Sequence, residues 1–259
     1  MIEPVTAIGP VSVVVFLRWS RPEYFFCLDQ GIHAAGFPCP GTTFYVIDNT
    51  PEPNGTGSIK GVRALLAAHG FKFAITRDDS CRTPRPDERT DYLTDKHILH
   101  WSRFCDDLRA RIDCDWVLSW EDDVTPGVPG AFAELKRAAD QRPEVGAVIP
   151  ACWSRMGDRH LMVYPRQDWL QLRLSERLRH PGTPGPVMTG HVGWTLFRAE
   201  ALRQARPRRL HPASGRHEDA LYYDMSQAGW SAWYAAGVHC RHHLSATEWV
   251  DGPAQGERP

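Results

Sequence analysis

Residues 116–126 read WVLSWEDDVTP. An apolar run delivers the chain into three adjacent carboxylates, Glu121, Asp122 and Asp123, and Thr125-Pro126-Gly127 then breaks the element. Adjacent carboxylates repel one another and lose hydration in a cleft, so an opposite charge must offset them. A divalent cation is the simplest candidate, because it turns their repulsion into binding. Oxygen ligands on a strand-end loop suit Mg²⁺ or Mn²⁺, ions that keep waters or take phosphate oxygens. An acidic turn facing solvent would read the same way, so the surrounding elements have to decide.

Further groups with chemical potential stand elsewhere. Asp48 ends the run TTFYVID, where it could contact a ligand or cap the turn DNTP. Asp78 and Asp79 follow the run FKFAIT. His217-Glu218-Asp219 opens HEDALYYDMSQAG, a position where a helix dipole favours acids. The stretch HCRHH places His239, His242 and His243 around Arg241. Of the tryptophans, which are core residues by default, Trp153 and Trp194 are the two assigned to a stacking wall for a sugar or base.

These groups need a scaffold. VSVVVFL (11–17) is the β-branched run of a strand buried on both faces. In SRPE (20–23), Ser20 is placed to cap a helix, with Pro22 in its first turn and Glu23 at the capping-box position. That helix is expected to run to about Gly36. Strands follow at 42–48, 71–76, 115–120 and 145–150, with helices at about 58–69, 91–112 and 130–141. Residues 77–90 read as a charged surface loop and 166–180 as an amphipathic basic helix. Beyond 181–186 come a turn, strand and helix start in GHVGWTLFRAEAL, then a helix from 215 and a strand-like segment ending in the histidines. Alternation at this spacing predicts an α/β fold with a mostly parallel central sheet, helices on both faces and a single domain. Ligands of such sheets sit beyond the carboxyl ends of the strands, where Asp48, Asp78, Asp79 and Glu121–Asp123 gather. Residues 1–150 would form the ligand half, 151–245 the half that completes the site, and 246–259 a loose tail.

The 259 residues, 42% hydrophobic and 24% charged, are ordinary for a globular protein with a substantial core. The formal charge of −1 argues against an indiscriminate polyanion binder. Residues 130–259 are the basic half, with 17 Lys/Arg against 13 Asp/Glu. Seven cysteines form no CxxC pair, an odd count that fits poorly with a disulfide framework. With no basic leader and no apolar run of membrane-spanning length, a cytoplasmic location is expected.

The order of VSVVVFLRWSRPEY, YVIDN, WVLSWEDDV, GHVGWTLFRAEAL, HEDALYYDMSQAGW and HCRHH resembles the family-2-type glycosyltransferases of the GT-A fold, over about residues 11–243. The triplet departs from the family's Asp-x-Asp by having Glu121 first. The resemblance implies a Rossmann-like nucleotide-binding sheet and an enzyme that moves a sugar from a nucleotide-diphosphate sugar, by default a UDP-sugar, to an acceptor hydroxyl. It implies that Asp48, Asp78 or Asp79 contact the base or ribose, with Glu121 or Asp122 assisting at the ribose or ion. Asp123 and His242 would hold Mn²⁺ or Mg²⁺, with His239 and His243 as alternates to His242. Asp219 would be the general base, with Glu218 orienting the acceptor or loop. Gly190, His191, Trp153, Trp194 and His217 would face the acceptor.

The chemistry is intelligible on its own terms. A departing diphosphate carries charge that a cation offsets without a proton, and Arg241 could add to it. The acceptor hydroxyl needs a carboxylate to take its proton. An acid cluster for the ion and a separate acid for the base imply single displacement with inversion. Two other readings stay open: a nucleotidyltransferase on a related sheet, and a non-catalytic carbohydrate- or nucleotide-binding module. The acceptor is open too, and the arginines of the second half permit a hydroxylated base in DNA.

Overall fold

The computed structural model describes residues 8–50, 55–78, 89–155, 160–165, 182–210, 218–245 and 247–252. The run VSVVVFL lies within β1 (Ile8–Trp19). Val13 through Leu17 are buried without exception, because successive side chains point to opposite faces and both faces are covered. A short 3₁₀ turn (Pro22–Tyr24) leads into α1 (Phe25–Ala35), which ends at Gly36 in the left-handed conformation. Then follow β2 (Thr42–Asp48), α2 (Gly55–Ala68), β3 (Lys72–Arg77), α3 (Arg89–Ala110) and β4 (Ile112–Glu121). Next are β5 (Val124–Pro126), α4 (Ala131–Asp140), β6 (Val145–Cys152), β7 (Val163–Tyr164), β8 (Gly185–Val187) and β9 (Thr189–Gly190). The last are β10 (Trp194–Arg198), α5 (Ala199–Gln204), α6 (Glu218–Gln227), β11 (Ser231–His243) and β12 (Trp249–Val250). The basic helix expected at 166–180 and most of the loop expected at 77–90 lie outside the described residues.

The main sheet has the order β12-β11-β6-β10-β4-β1-β2-β3. Strands β4, β1, β2 and β3 run parallel, as do β6 and β11. β10 is reversed against both its neighbours, β4 and β6. The mostly parallel sheet expected from the sequence thus has one antiparallel strand near its middle. That reversal matters for the site: Trp194 lies opposite Trp120, so the chain enters β10 from the carboxyl end of β4. Residues just before Trp194 are therefore delivered onto the edge where Glu121 stands.

Each face of the sheet has its own core. On one, Leu28 and Ile32 of α1, Val62 and Leu66 of α2, and Phe132 and Leu135 of α4 pack against Val13, Val15 and Leu17. On the other, Trp101, Phe104 and Leu108 of α3, with Leu202 and Leu221 from α5 and α6, cover Val14 and Phe16. Burial of each large apolar side chain contributes about 1.5–3 kcal/mol, so the strands are held firmly beneath the loops at their carboxyl ends. Among the described residues, no helix is long and apolar enough to cross a membrane.

Candidate active site

The carboxylate triplet occupies a tight turn between β4 and β5. The Trp120 indole N–H closes the turn by donating to the Val124 carbonyl at 2.7 Å. β5 then pairs antiparallel with the end of β11, Val124 opposite His242. The His243 N–H donates to the Asp123 carbonyl at 2.7 Å. Two segments more than a hundred residues apart in sequence thereby set His242 beside Asp123.

Arginines offset the three carboxylates. Glu121 pairs with Arg18 from the end of β1. Asp122, 2% exposed, is saturated: its Oδ2 accepts the backbone N–H groups of Ser20 (2.7 Å) and Arg21 (2.8 Å) and the Ser20 hydroxyl (2.9 Å), while its Oδ1 accepts Arg21 Nε at 3.0 Å. Asp122 therefore ties the end of β1 to the end of β4 and has no lone pair facing outward. Ser20, expected as a helix cap, spends its hydroxyl on this carboxylate, and the 3₁₀ turn has no side-chain cap.

Asp123 is different. Its Oδ2 meets Arg21 Nη1 and Arg155 Nη1, both at 2.9 Å, and His242 Nε2 at 3.5 Å. Its Oδ1 is buried and has no hydrogen-bond partner. Burial alone would raise this carboxyl, but Arg21, His242 and Arg155 outweigh it and hold it well below the usual carboxylate range. The His242 Nδ1–H donates to the Trp153 carbonyl at 3.0 Å, which fixes the ring and leaves Nε2 as the nitrogen facing Asp123. A ring nitrogen so aimed, its partner nitrogen tied to a carbonyl, is the usual arrangement of a metal-binding histidine. Asp123, whose Oδ2 lies 3.5 Å from that nitrogen and whose Oδ1 is unpartnered, completes an oxygen–nitrogen donor set, so these residues fit a divalent cation that fills its shell with water or phosphate. The alternates differ: His243 Nε2 is hydrogen-bonded to the Thr125 hydroxyl at 2.8 Å, and Nδ1 contacts Cys27 Sγ at 3.6 Å. His239 uses its carbonyl to accept the Gly127 N–H.

Along the same sheet edge, Asp48 is fully buried, its Oδ2 bound to Arg77 at 2.6 Å and its Oδ1 accepting the Thr50 N–H at 3.0 Å. The turn-capping role that its sequence context allowed is thus present. Asp78 donates its N–H to the Asp48 carbonyl, and its Oδ2 takes Lys96 Nζ at 2.7 Å and His100 Nε2 at 3.0 Å. Asp79 and His217 lie outside the described residues.

Across from the triplet stands the 189–193 segment. Asp219, 3% exposed in the first turn of α6, accepts the Thr189 hydroxyl at 3.2 Å. Glu218, half-buried, precedes it. The Tyr222 hydroxyl donates to the His191 carbonyl at 3.0 Å, so α6 is stitched to the loop entering β10. His191 is buried; its Nδ1 accepts the Gly193 N–H at 3.1 Å and its Nε2 faces the Pro150 carbonyl at 3.4 Å. Burial lowers its pKa to about 3, the Pro150 carbonyl opposes this and the nearby His242 adds to it. The ring is therefore neutral and braces the Gly193 N–H against the Pro150 carbonyl. A Cβ on Gly193 would stand 2.9 Å from Val124 Cγ2 and 3.2 Å from Glu121 Oε2, so only glycine lets this loop lie against the triplet. A Cβ on Gly190 would meet the Ile149 side chain at 2.9 Å.

Three expectations are corrected by position. Trp153 and Trp194, expected as a stacking wall, are 2% and 0% exposed; Trp194 packs edge-on against Trp120, and neither ring has an open face. Arg241 lies over the Trp249 ring at 4.7 Å, and Arg21 and Arg155 are the arginines at Asp123. Asp122 is consumed by Ser20 and Arg21, so it is an anchor, with no coordination left for a ligand. Arg18, Arg21 and Arg155 escaped the sequence reading. For Arg18 and Arg21 the available signal was their position at the carboxyl end of a buried strand. The arginines that suggested a polyanionic acceptor are, where described, partly paired: Arg208 bonds Asp224 in bidentate fashion at 2.6 and 2.8 Å, and Arg209 meets Asp95 at 2.9 Å.

Comparison with protein-family profiles and with curated proteins gives no match. Solved structures do match. GalNAc-T7 with UDP, GalNAc and Mn²⁺ aligns at a TM-score of 0.57 and 10% identity, over 93% of this chain and 45% of that one. The mannosyltransferase PcManGT from Pyrobaculum calidifontis, in complex with GDP-Man and Mn²⁺, aligns at 0.51 and 14% identity, over 90% and 59%. TarS 1-349 of S. aureus with UDP-GlcNAc aligns at 0.50 and 10%, over 87% and 58%. The chain thus spans about half the length of each of these three, and at such identities the likeness concerns architecture. By that architecture, a mostly parallel sheet layered by helices with its acids at the carboxyl edge, the chain shares the GT-A fold of glycosyltransferases.

Proposed function

We propose that the chain is a divalent-metal-assisted glycosyltransferase, with a nucleotide-diphosphate sugar as donor and inversion at the transferred carbon. The observation that carries this reading is the Asp123–His242 pair: a buried carboxylate with one unpartnered oxygen, beside a histidine whose other nitrogen is tied to a carbonyl. The fold supports it, since two of the matched structures hold a nucleotide or nucleotide-sugar together with Mn²⁺. Asp123 and His242 would hold Mn²⁺ or Mg²⁺, which when bound offsets the charge of the diphosphate.

The remaining roles belong to this chain's own groups. Arg21 and Arg155, both within 2.9 Å of Asp123, can swing toward the departing diphosphate and steady its charge. Asp48, with Asp78 or Asp79, borders the donor's base and ribose, and Glu121 borders the ribose. Asp219 takes the proton of the acceptor hydroxyl as that oxygen attacks. Glu218, His217, Gly190 and His191 shape the acceptor side, with residues 1–150 as the donor half and 151–245 as the acceptor half. UDP is the default donor nucleotide. A hydroxylated DNA base is the less favoured acceptor, because Arg208 and Arg209 are already paired with acids.

Calorimetric titration of a nucleoside-diphosphate panel, with and without Mn²⁺, tests the donor half on wild type and Asp123→Ala. One nucleotide should bind in a metal-dependent way, and the variant should lose it. No nucleotide binding under either condition sinks the reading. With the donor known, Asp219→Asn should lower kcat at least 100-fold while donor affinity holds. A normal kcat in that variant removes Asp219 as the base.

A further inference from the structure

A second cluster of metal-ligating side chains lies at the other end of the sheet. Asp29 and His33 stand four residues apart on α1 and so share one helix face. His69 follows the last residue of α2, and its backbone is locked. The Gly70 N–H donates to Ala67 and the Phe71 N–H to Leu66, each at 3.0 Å, and Gly70 has φ +75°. This is a Schellman closure, and the His69 ring also stacks on Phe71 at 6.1 Å. The His69 Nε2 sits 2.9 Å, and the His33 Nε2 3.6 Å, from the same Asp29 Oδ1. All three donor atoms lie within 4.8 Å of one another.

Those separations have a meaning. A tetrahedral ion with metal–ligand bonds of about 2.0–2.1 Å holds its donor atoms about 3.3 Å apart. The observed 2.9 and 3.6 Å from Asp29 Oδ1 bracket that value, and with all three donor atoms within 4.8 Å a small ion can seat itself once the two imidazole rings draw together. The side chains of His33 and Asp29 are 70% and 36% exposed, which leaves an entry path and room for water in the remaining coordination position. We propose that Asp29, His33 and His69 bind one transition-metal dication, zinc being the best match, and that the ion fastens α1 to the C-terminal end of α2.

The donor set separates this site from the one at Asp123. Two imidazoles and one carboxylate favour zinc, cobalt, nickel or copper over magnesium. The positions differ as well: His69 precedes β3, whereas Asp123 follows β4, and a parallel strand of seven residues such as β2 spans about 20 Å. The bound ion would act on how α1 and α2 sit together, and no part of sugar transfer needs it.

Zinc titration of metal-free full-length protein by calorimetry tests the proposal, with melting temperature read in parallel. The background carries Cys39→Ser, because the exposed Cys39 thiol lies 3.6 Å from the Gly70 carbonyl and could take zinc itself. The parent should bind one equivalent more than His33→Ala, and zinc should raise its melting temperature by more than it raises that of the variant. Asp29→Asn should weaken the same equivalent at least tenfold. His33 is the most exposed of the three ligands, so its replacement leaves the fold intact. Equal stoichiometry and affinity in parent and His33→Ala, or no zinc binding by the parent at 100-µM-order concentrations (about a hundred micromolar being far above any useful zinc affinity), overturns the site.

Discussion

Asp122→Asn discriminates an anchoring carboxylate from a ligand-binding one. In the wild type Asp122 accepts three hydrogen bonds on Oδ2 and Arg21 on Oδ1, and it is 2% exposed. An asparagine amide turns a donor toward donors on one side and removes the charge that faces Arg21. Breaking a buried ion pair costs about 3–5 kcal/mol. Arg21 is 29% exposed and keeps its second contact with Asp123, which brings the expected loss to about 2–3 kcal/mol. For a chain of this size each kcal/mol lowers Tm by about 2–4 °C, so a fall of about 5–10 °C is expected. Urea denaturation followed by tryptophan fluorescence gives the free energy directly. Nucleotide affinity, measured below the new midpoint, should change less than tenfold. An unchanged Tm together with lost nucleotide binding would refute the anchoring argument and return Asp122 to the donor site.

Three further outcomes are expected. The pKa of His191 falls from 6.5 in the unfolded chain to about 3 in the folded protein, so the unfolded state binds the extra proton between those values. Stability from this group is complete above about pH 6.5 and shrinks as pH falls, by about 2 kcal/mol between pH 6.5 and 5. Urea titrations at pH 7 and pH 5 should show that loss reduced in His191→Asn, whose side-chain oxygen can still accept the Gly193 N–H; equal losses in both proteins would count against it. Gly193→Ala forces a Cβ to 2.9 Å from Val124, and should cost about 1–3 kcal/mol in the same assay. Ser20→Ala removes one of the bonds on Asp122 and should cost about 1 kcal/mol, with donor affinity preserved.

Much of the scaffold was legible because its strands are β-branched runs too apolar for any half-exposed setting. Val11–Leu17, Thr42–Asp48 and Val145–Pro150 were recognisable as strands for that reason, and all three are. The direction of β10 was not legible, since alternation and burial are identical for a strand run either way. Ser20 shows a second limit. Its local pattern fits a helix cap, yet its partner is 102 residues away, and a long-range carboxylate competes better than a short 3₁₀ turn. Arg21 reaches Asp123 through the pairing of β1 with β4, and Arg155 through the pairing of β6 and β5 with β11, so no window of sequence contains them together. Trp153 and Trp194 look alike in sequence whether they line a cleft or a core; their burial in the fold, with Trp194 packed on Trp120, distinguishes the two.

The arginines around the triplet have a consequence for how the site would fill. Glu121, Asp122 and Asp123 face Arg18, Arg21 and Arg155, three negative charges against three positive ones. A pocket already neutral gains little from a bare dication and little from a bare diphosphate, because either leaves it with unbalanced charge in a partly desolvated place. Arriving together, the two cancel, and the arginines can turn from carboxylate to phosphate without any change in net charge. Ion and nucleotide should then behave as one ligand in two pieces. Each should raise the affinity of the other by the same factor, as thermodynamic linkage demands, and neither alone should hold the site.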